Sequence, residues 1–378
     1  MEFAWKPEQE DYRARVRAAL TELLPPNWDE FYVPKSYASD EAIEFSRHFC
    51  AELAARGLLV PHWPKEYGGD DAADWNHFIL SEEMKAAGEP RGPQYMNVNW
   101  IGPTLMHFGT EEQREQHVKG IANGKVIWCQ GFSEPGAGTD LAALSTRAER
   151  HADHYIINGS KIWTSYARGA DWCFLLARTG SGRKEISIFL VPMDSPGISV
   201  TSYPGLIKDG HLNEVYFSDV RVPDSSRVGE EGGAWKIITH ALAYERVGVP
   251  RYHAGLAALD LAIEQIKKEG RYDRVVQSLA GAIASKFEAA RLLTYLVVDQ
   301  RVKRRPPSTD ANLCRICALD AVESLMDFLV QCVPDCLTGG DPLLEDYYRI
   351  NIPAGITGGT NEIQLDLVAH QGLGLPRK

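Results

Sequence analysis

The period of the hydrophobic pattern changes twice along this chain, and that double change is the strongest constraint on how it folds. Up to about residue 125 apolar residues recur at helical spacing, from about 126 to 230 they alternate, and from about 231 the helical spacing returns. In the first stretch EQEDYRARVRAALTELL predicts a helix stopped by Pro25-Pro26. DEAIEFSRHFCAELAARG predicts a second helix with Gly57 past its end. DWNHFILSEEMKAAG and EEQREQHVKGIANG predict two more, and HWPKEYGG between the second and third is turn chemistry. In the middle stretch HYIINGSKIWTS predicts a hairpin with Asn158-Gly159 at its turn. WCFLLART, EISIFLVPM, GISVTSY and NEVYFSDVRVP follow as short strands, so an antiparallel barrel or sandwich is expected. The last stretch holds long helical segments suited to a bundle, then a last, shorter helix in the tail GGTNEIQLDLVAHQGLGLPRK. The expectation is a multidomain α+β chain: a helical domain over 1–125, a β-domain over 126–230 and a helical bundle over 231–378.

Composition narrows the function classes. At 378 residues the chain is long enough for two or three domains, and 44% hydrophobic content supplies their cores. The formal net charge of −11 gives no global basic face, which disfavours nucleic-acid binding. No apolar run reaches membrane-spanning length, and MEFAWKPEQEDYRARVRAAL has no signal-peptide core, so a cytoplasmic protein is expected. Seven cysteines do not suggest a disulfide scaffold.

Three segments stand out as candidate chemistry. Gly131 to Asp140, GFSEPGAGTD, is a Gly-rich loop after a strand-like VIWCQ. Its backbone N–H groups suit a phosphate or a polar ring, and a tight β-connection is the plain alternative. Lys161-Ile162-Trp163-Thr164-Ser165 places an indole and two hydroxyls at a strand end, either as the wall of a flat ligand or as core. Glu245 lies in the largely apolar helix ITHALAYERVGV, where a desolvated carboxylate suits a general base; the commoner fate of such a Glu is a solvated face. Cys314-x-x-Cys317 and Cys332-x-x-x-Cys336 have spacings that suggest zinc, but ANLCRICALDAVESLMDFLVQCV reads as one helix with the thiols as small apolar groups, so no metal is expected.

Together these segments resemble the acyl-CoA dehydrogenase family along essentially the whole chain. GFSEPGAGTDLAAL is similar to its flavin-loop signature and NGSKIWTS to the strand behind the flavin; HWPKEYGG, GPTLMHFGTEEQ and GGTNEIQ are also family-like. The resemblance implies that fold: an N-terminal helical domain, a middle β-domain and a C-terminal four-helix bundle. It implies FAD as cofactor and α,β-dehydrogenation of an acyl-CoA thioester, with the β-hydrogen leaving as hydride to flavin N5. It places Gln130, Phe132 and Ser133 along the flavin, Thr139 near the pyrophosphate and pantetheine, Trp163 over one flavin face, Ser165 near N5, and Thr360 and Glu362 beside the cofactor. Electron-transfer flavoprotein is the family's usual acceptor.

Two departures from the family pattern matter. Many members carry the base immediately before G-T near the C-terminus, where this chain has Gly358. A minority place it on the first C-terminal-domain helix before an Arg, which here is Glu245-Arg246. The resemblance therefore implies Glu245 as base, with Arg246 and Thr139 toward the substrate. The R-x-x-F-G and G-G-x-G segments with which homotetrameric members reach a neighbour's FAD are replaced by EGRYDRVVQ and QCVPDCLTGG. This looks like members acting on bulky acyl groups such as steroid side chains, some of which pair with a different dehydrogenase-like chain. A homo- or hetero-tetramer is implied. The alternatives are a half-site partner subunit without its own catalysis and an oxygen-using flavin relative.

Overall fold

The computed structural model describes residues 5–28, 39–182, 185–206, 211–245, 251–303, 305 and 309–376; of 242–245 it describes the backbone alone. The chain divides into two compact units. One comprises residues 1–34, 73–89 and 245–378, the other 35–72 and 90–244.

The first unit is helical. Helix Pro7–Leu23 stops where Leu24, forced extended before Pro25, breaks the ladder. Asp74–Ala86, Arg251–Lys268, Arg274–Val302 and Asp310–Cys332 surround one core that contains Phe78, Tyr252, Phe287, Leu325 and Leu329. Burying each such side chain contributes roughly 1.5–3 kcal/mol. Asp273 starts the helix Arg274–Val302 by accepting from the N–H groups of Val275 and Val276. Two shorter helices, Pro342–Asn351 and Asn361–Leu367, follow.

The second unit is built on one eight-stranded sheet: β1 Trp128–Gly131, β2 Arg147–Arg150, β3 His154–Lys161, β4 Trp172–Arg178, β5 Ile186–Pro192, β6 Ile198–Ser202, β7 Asn213–Pro223 and β8 Arg227–Val228. The order is β6-β7-β3-β2-β4-β5-β8, with β1 also on β4. The purely antiparallel expectation is corrected here, because β1 and β2 both run parallel to β4. They share one edge of it, β1 along residues 172–175 and β2 at Arg178. The chain leaves the sheet between them, and that excursion is the GFSEPGAGTD loop. The Asn158-Gly159 turn is also corrected. Both residues lie inside β3, where the register with β7 shifts between Ile157 and Gly159. Gly159 has φ +148°, and a Cβ there would meet the Thr146 hydroxyl at 2.5 Å, so this glycine serves a bulge rather than a turn.

Helices flank the sheet in sequence. Ser39 caps Asp40–Ala55 through the Ala42 N–H, and Gly57 at φ +66° closes its other end. Residues 94–108 form helical structure that the sequence reading did not extract, because Gly102-Pro103 reads as a breaker. A π-turn over Asn97–Ile101 precedes Gly102–Phe108 and lets the chain stay helical past the proline. Helix Ala234–Glu245 buries Ala234, Ile237, Ile238 and Ala241, one stripe at helical spacing.

Candidate functional site

The sheet unit gathers the loop and the tryptophan strand in one place. The Ile162 N–H donates to the Ser133 carbonyl at 2.9 Å, which ties the GFSEPGAGTD loop to the end of β3. Within the loop Glu134 and Ala137 exchange both backbone hydrogen bonds, making Glu134-Pro135-Gly136-Ala137 a tight turn. Beneath it the Lys161 ammonium, fully buried, donates to Glu134 Oε1 at 2.7 Å and to the Phe132 carbonyl at 3.2 Å. Glu134 also accepts from the Ser145 N–H and hydroxyl, both at 2.6 Å, and from the Thr146 N–H at 3.0 Å. Burial alone would raise the Glu134 pKa; the Lys161 charge and these donors outweigh it and hold the carboxyl at about 2. Burial lowers the Lys161 pKa and the Glu134 charge and hydrogen bond oppose that fall; a neutral Lys161 would leave the carboxylate buried without a counter-charge.

Above this brace the loop's outer surface is open. Pro135, Gly136, Gly138 and Thr139 are exposed, and a Cβ at Gly136 or Gly138 would meet nothing within 4 Å. Neither glycine has positive φ. The protein's own packing therefore does not demand glycine there, while a ligand lying on the loop would. Trp163 is the second such signal: its indole is 57% exposed and its backbone sits at φ +60°, where a bulky residue is strained. It stands edge-on to Tyr203 with centroids 5.6 Å apart. The adjacent Thr164 is buried and its hydroxyl has no partner among the described residues. Ser165 is half-buried, 3.4 Å from His211 Nε2. Burial depresses the His211 pKa to about 4, so that ring is neutral near pH 7. Gln130 Oε1 accepts from Trp100 Nε1 at 2.9 Å, and Phe132 is buried with its ring tilted against Phe174.

These features fit a planar, polar-edged ring followed by phosphate. They comprise an exposed indole wall, an orphaned buried hydroxyl, backbone donors and two glycines facing open space. Sequence reasoning named Gln130, Phe132, Ser133, Thr139, Trp163 and Ser165, and the structure brings all six onto this stretch of the sheet unit. It did not find Lys161 and Glu134 as a buried pair, nor Asn97 and Trp100. Asn97 grips the start of β1 by donating to the Val126 carbonyl at 2.8 Å and accepting from the Trp128 N–H at 3.2 Å. No local pattern signals the Glu134–Lys161 pair, since the two residues are 27 apart with Asp140, Arg147, Glu149, Arg150 and Asp153 between them.

The remaining candidates lie in the helical unit. Glu245 is the last residue of helix Ala234–Glu245; its side chain and the whole of Arg246 lie outside the described residues. Gly358 and Gly359 have φ +65° and +97°, a left-handed pair. A Glu at the first would hold a backbone costing about 1 kcal/mol or more. Arg315 donates to the carbonyls of Ala354 and Thr357, and buried Gln364 donates to Gly359 and accepts from Asn312, so this turn is fixed from two helices. Thr360 spends its hydroxyl as the cap of Asn361–Leu367, accepting from Ile363, while Glu362 is exposed in the first turn. Cys314 sits inside a continuous helix, 3.1 Å from the Thr294 hydroxyl, and burial raises its pKa. No group of three or more metal-ligating side chains occurs among the described residues, and no described helix is long and apolar enough to cross a membrane.

A β-unit with an open Gly-rich loop, set between helical segments in sequence, defines the class. The chain matches the acyl-CoA dehydrogenase N-terminal domain over residues 6–125, the middle domain over 129–220 and the C-terminal domain over 232–373. It belongs to the acyl-CoA dehydrogenase family, and is an oxidoreductase of that family with its three-domain fold. Among its relatives is acyl-CoA dehydrogenase FadE26 of Mycobacterium tuberculosis, 32% identical over 100% of this chain and 99% of the relative. Among solved structures are the Tcur3481-Tcur3483 steroid ACAD, at 32% identity and TM-score 0.87, and the ChsE4-ChsE5 complex from Mycobacterium tuberculosis, at 31% and 0.87. Each covers 100% of both chains.

Proposed function

We propose that this chain is an FAD-dependent dehydrogenase that converts an acyl-CoA thioester to its 2-enoyl-CoA, with Glu245 as the α-proton base. The observation that carries the reading is the 2.9 Å bond from Ile162 to Ser133, which puts an outward Trp163 indole beside a loop whose glycines face open space. When bound, FAD supplies the two-electron sink for the β-hydrogen. The chain's residues do the rest. Gln130, Phe132 and Ser133 hold the flavin edge, Trp163 covers a face, Ser165 presents its hydroxyl, and Thr139 lies toward the phosphates and pantetheine. Thr360 and Glu362 lie beside the cofactor. The Glu245 carboxylate takes the α-proton, Arg246 contributes to substrate binding, and Gly358 offers no acceptor at the alternative position. Electron-transfer flavoprotein is the proposed acceptor.

The substrate class we infer is a bulky acyl group such as a steroid side chain, and the assembly a hetero-tetramer with a second dehydrogenase-like chain. Support comes from neighbours named as a steroid ACAD and as a two-protein complex, and from the replaced EGRYDRVVQ and QCVPDCLTGG segments. The test is anaerobic addition of straight-chain and steroid-side-chain acyl-CoA thioesters to the FAD-loaded protein. Flavin bleaching with a thioester product lighter by two hydrogens is expected with the bulky substrate. Absence of bleaching with every thioester overturns the dehydrogenase reading, and peroxide formed in air without an added acceptor favours the oxygen-using alternative.

A further inference from the structure

We propose that the buried Lys161 is a positioning and charge-tuning residue that acts through the Phe132–Ser133 peptide to favour the reduced over the oxidised flavin. The inference rests on the reading of this loop as the flavin site.

The geometry is that of one peptide unit used as a relay. A trans peptide points its C=O and N–H in opposite directions. The carbonyl of Phe132 points inward, to the Lys161 ammonium at 3.2 Å. The N–H at the other end of that unit belongs to Ser133, so it points away from the buried lysine. It donates to no partner among the described residues, whereas the Ser133 carbonyl is taken by Ile162. An ammonium on the carbonyl polarises the whole amide and makes the opposite N–H a stronger donor. The effect is large here because Lys161 is fully buried and the field is not screened by water.

Glu134 does not cancel this arrangement. Its charge is shared with other donors: the Ser145 N–H and hydroxyl on Oε2, and the Thr146 N–H on the same Oε1 that Lys161 holds. The ion pair is thus an oriented dipole with its positive end on Phe132. Glu134 also anchors the lysine, since the same residue makes the turn with Ala137 that shapes the loop. A buried pair is a weak source of stability, so its presence here asks for a reason beyond folding.

Reduction of a flavin places negative charge on its ring. A charge-assisted donor at the ring edge therefore gains strength on reduction, and binding of the reduced form is favoured over the oxidised form. The two affinities and the midpoint potential are linked, so their ratio can be read independently of turnover.

The experiment uses the full chain with any partner it needs to hold FAD. Lys161→Met combined with Glu134→Gln removes both charges without stranding either in the interior. The expected result is bound FAD with an about tenfold lower preference for the reduced form, a midpoint drop of about 30 mV for a two-electron couple. A merely structural role lowers both affinities equally and leaves the potential in place; that result, or an unchanged potential with unchanged affinity, overturns the proposal. Lys161→Gln with Glu134→Gln keeps a neutral donor and replaces the first pair of substitutions if that protein does not fold; the same drop is expected. If instead FAD binds the wild-type protein but Trp163→Ala leaves its spectrum and affinity untouched, the flavin-site reading itself has failed.

Discussion

The Arg271 guanidinium donates to the Cys332 carbonyl at 2.9 Å and so closes the last turn of helix Asp310–Cys332. Arg271 also pairs with Glu269. Both partners belong to its own chain and hold this arginine at the bundle's end. Arg271→Ala is expected to lower stability by about 1 kcal/mol, the scale of a half-exposed cation on a helix C-terminus. FAD affinity should stay within about twofold on the same scale of effect. A loss of FAD without a loss of thermal stability contradicts the assignment.

Acid should weaken the helical unit through Glu82. This buried carboxylate accepts from the Tyr252 hydroxyl at 2.5 Å, Arg13 at 2.8 Å and the Tyr295 hydroxyl at 3.0 Å. Burial would raise its pKa, but the bonds from His253, Tyr252 and Arg13 with the Arg13 charge bring it from 4.5 to about 2. A depressed carboxylate pKa contributes stability that is fully present above the ordinary value and is lost as pH falls through the folded one. The window is therefore pH 4.5 down to about 2. The contribution is on the order of 3 kcal/mol. Glu82→Gln should unfold more easily at pH 7 and show a shallower stability slope across that window. An unchanged slope in denaturant titrations rules this out.

Glu245→Gln tests the base. Turnover should fall by about 10²–10⁴-fold or more, the usual worth of general-base catalysis, while FAD stays bound. Near-full turnover on a bleaching substrate ends the assignment. Restoring a carboxylate at the other family position, Gly358→Glu, is not expected to rescue it. Gly358 sits at φ +65° in a turn held by Arg315 and Gln364, and a Glu there strains the backbone that presents it.

How much of this was legible in the sequence differs by kind of signal. Periodicity delivered the helix–strand–helix order, and Pro25-Pro26 and Gly57 delivered helix ends, because both depend on neighbours a few residues away. Asn158-Gly159 misled because its local preference for a turn was overridden by long-range pairing of β3 with β7. The parallel docking of β1 and β2 on one edge of β4 joins residues far apart in sequence, and no local pattern encodes it. The helix through Gly102-Pro103 was hidden by a breaker dipeptide that a π-turn absorbs. In the candidate site the glycines, Trp163 and Ser133 were readable from residue type. The Lys161–Glu134 brace beneath them was not, since burial decides whether a lysine is solvent-facing or a fixed charge.

Trp163 should separate cofactor binding from folding. Its ring is more than half exposed, so little core packing is lost on truncation. Trp163→Ala is expected to change apoprotein stability by less than about 1 kcal/mol, as for surface positions. FAD affinity should fall at least about tenfold, because the flat wall contributes about 1.5 kcal/mol or more of ring contact. Flavin fluorescence titration reads the affinity and denaturant unfolding of the apoprotein reads the stability. Equal losses in both would make Trp163 a structural residue.

The mixed assembly makes the most specific quantitative prediction. With Arg271 engaged at Cys332, the EGRYDRVVQ stretch has one cation fewer to offer a neighbour's cofactor, and Arg274 is exposed at the start of its helix. A cofactor held at the flavin end alone forfeits charge-assisted bonds at the phosphates, each worth about 1.5–3 kcal/mol. Two such losses weaken binding by about 10²–10⁴-fold. The chain purified alone is therefore expected to carry little FAD. On the proposed mixed assembly, co-expression with a second dehydrogenase-like chain should raise occupancy to one flavin per pair of chains. Flavin absorbance against protein mass, measured with light scattering on the same sample, gives that ratio directly. One tightly held FAD per subunit in the lone chain refutes the shared site. Arg274→Ala on that protein then shows whether this exposed cation takes the place of the missing clamp: a tenfold or greater loss of FAD assigns it that role, and no loss removes the last cation of the stretch from consideration.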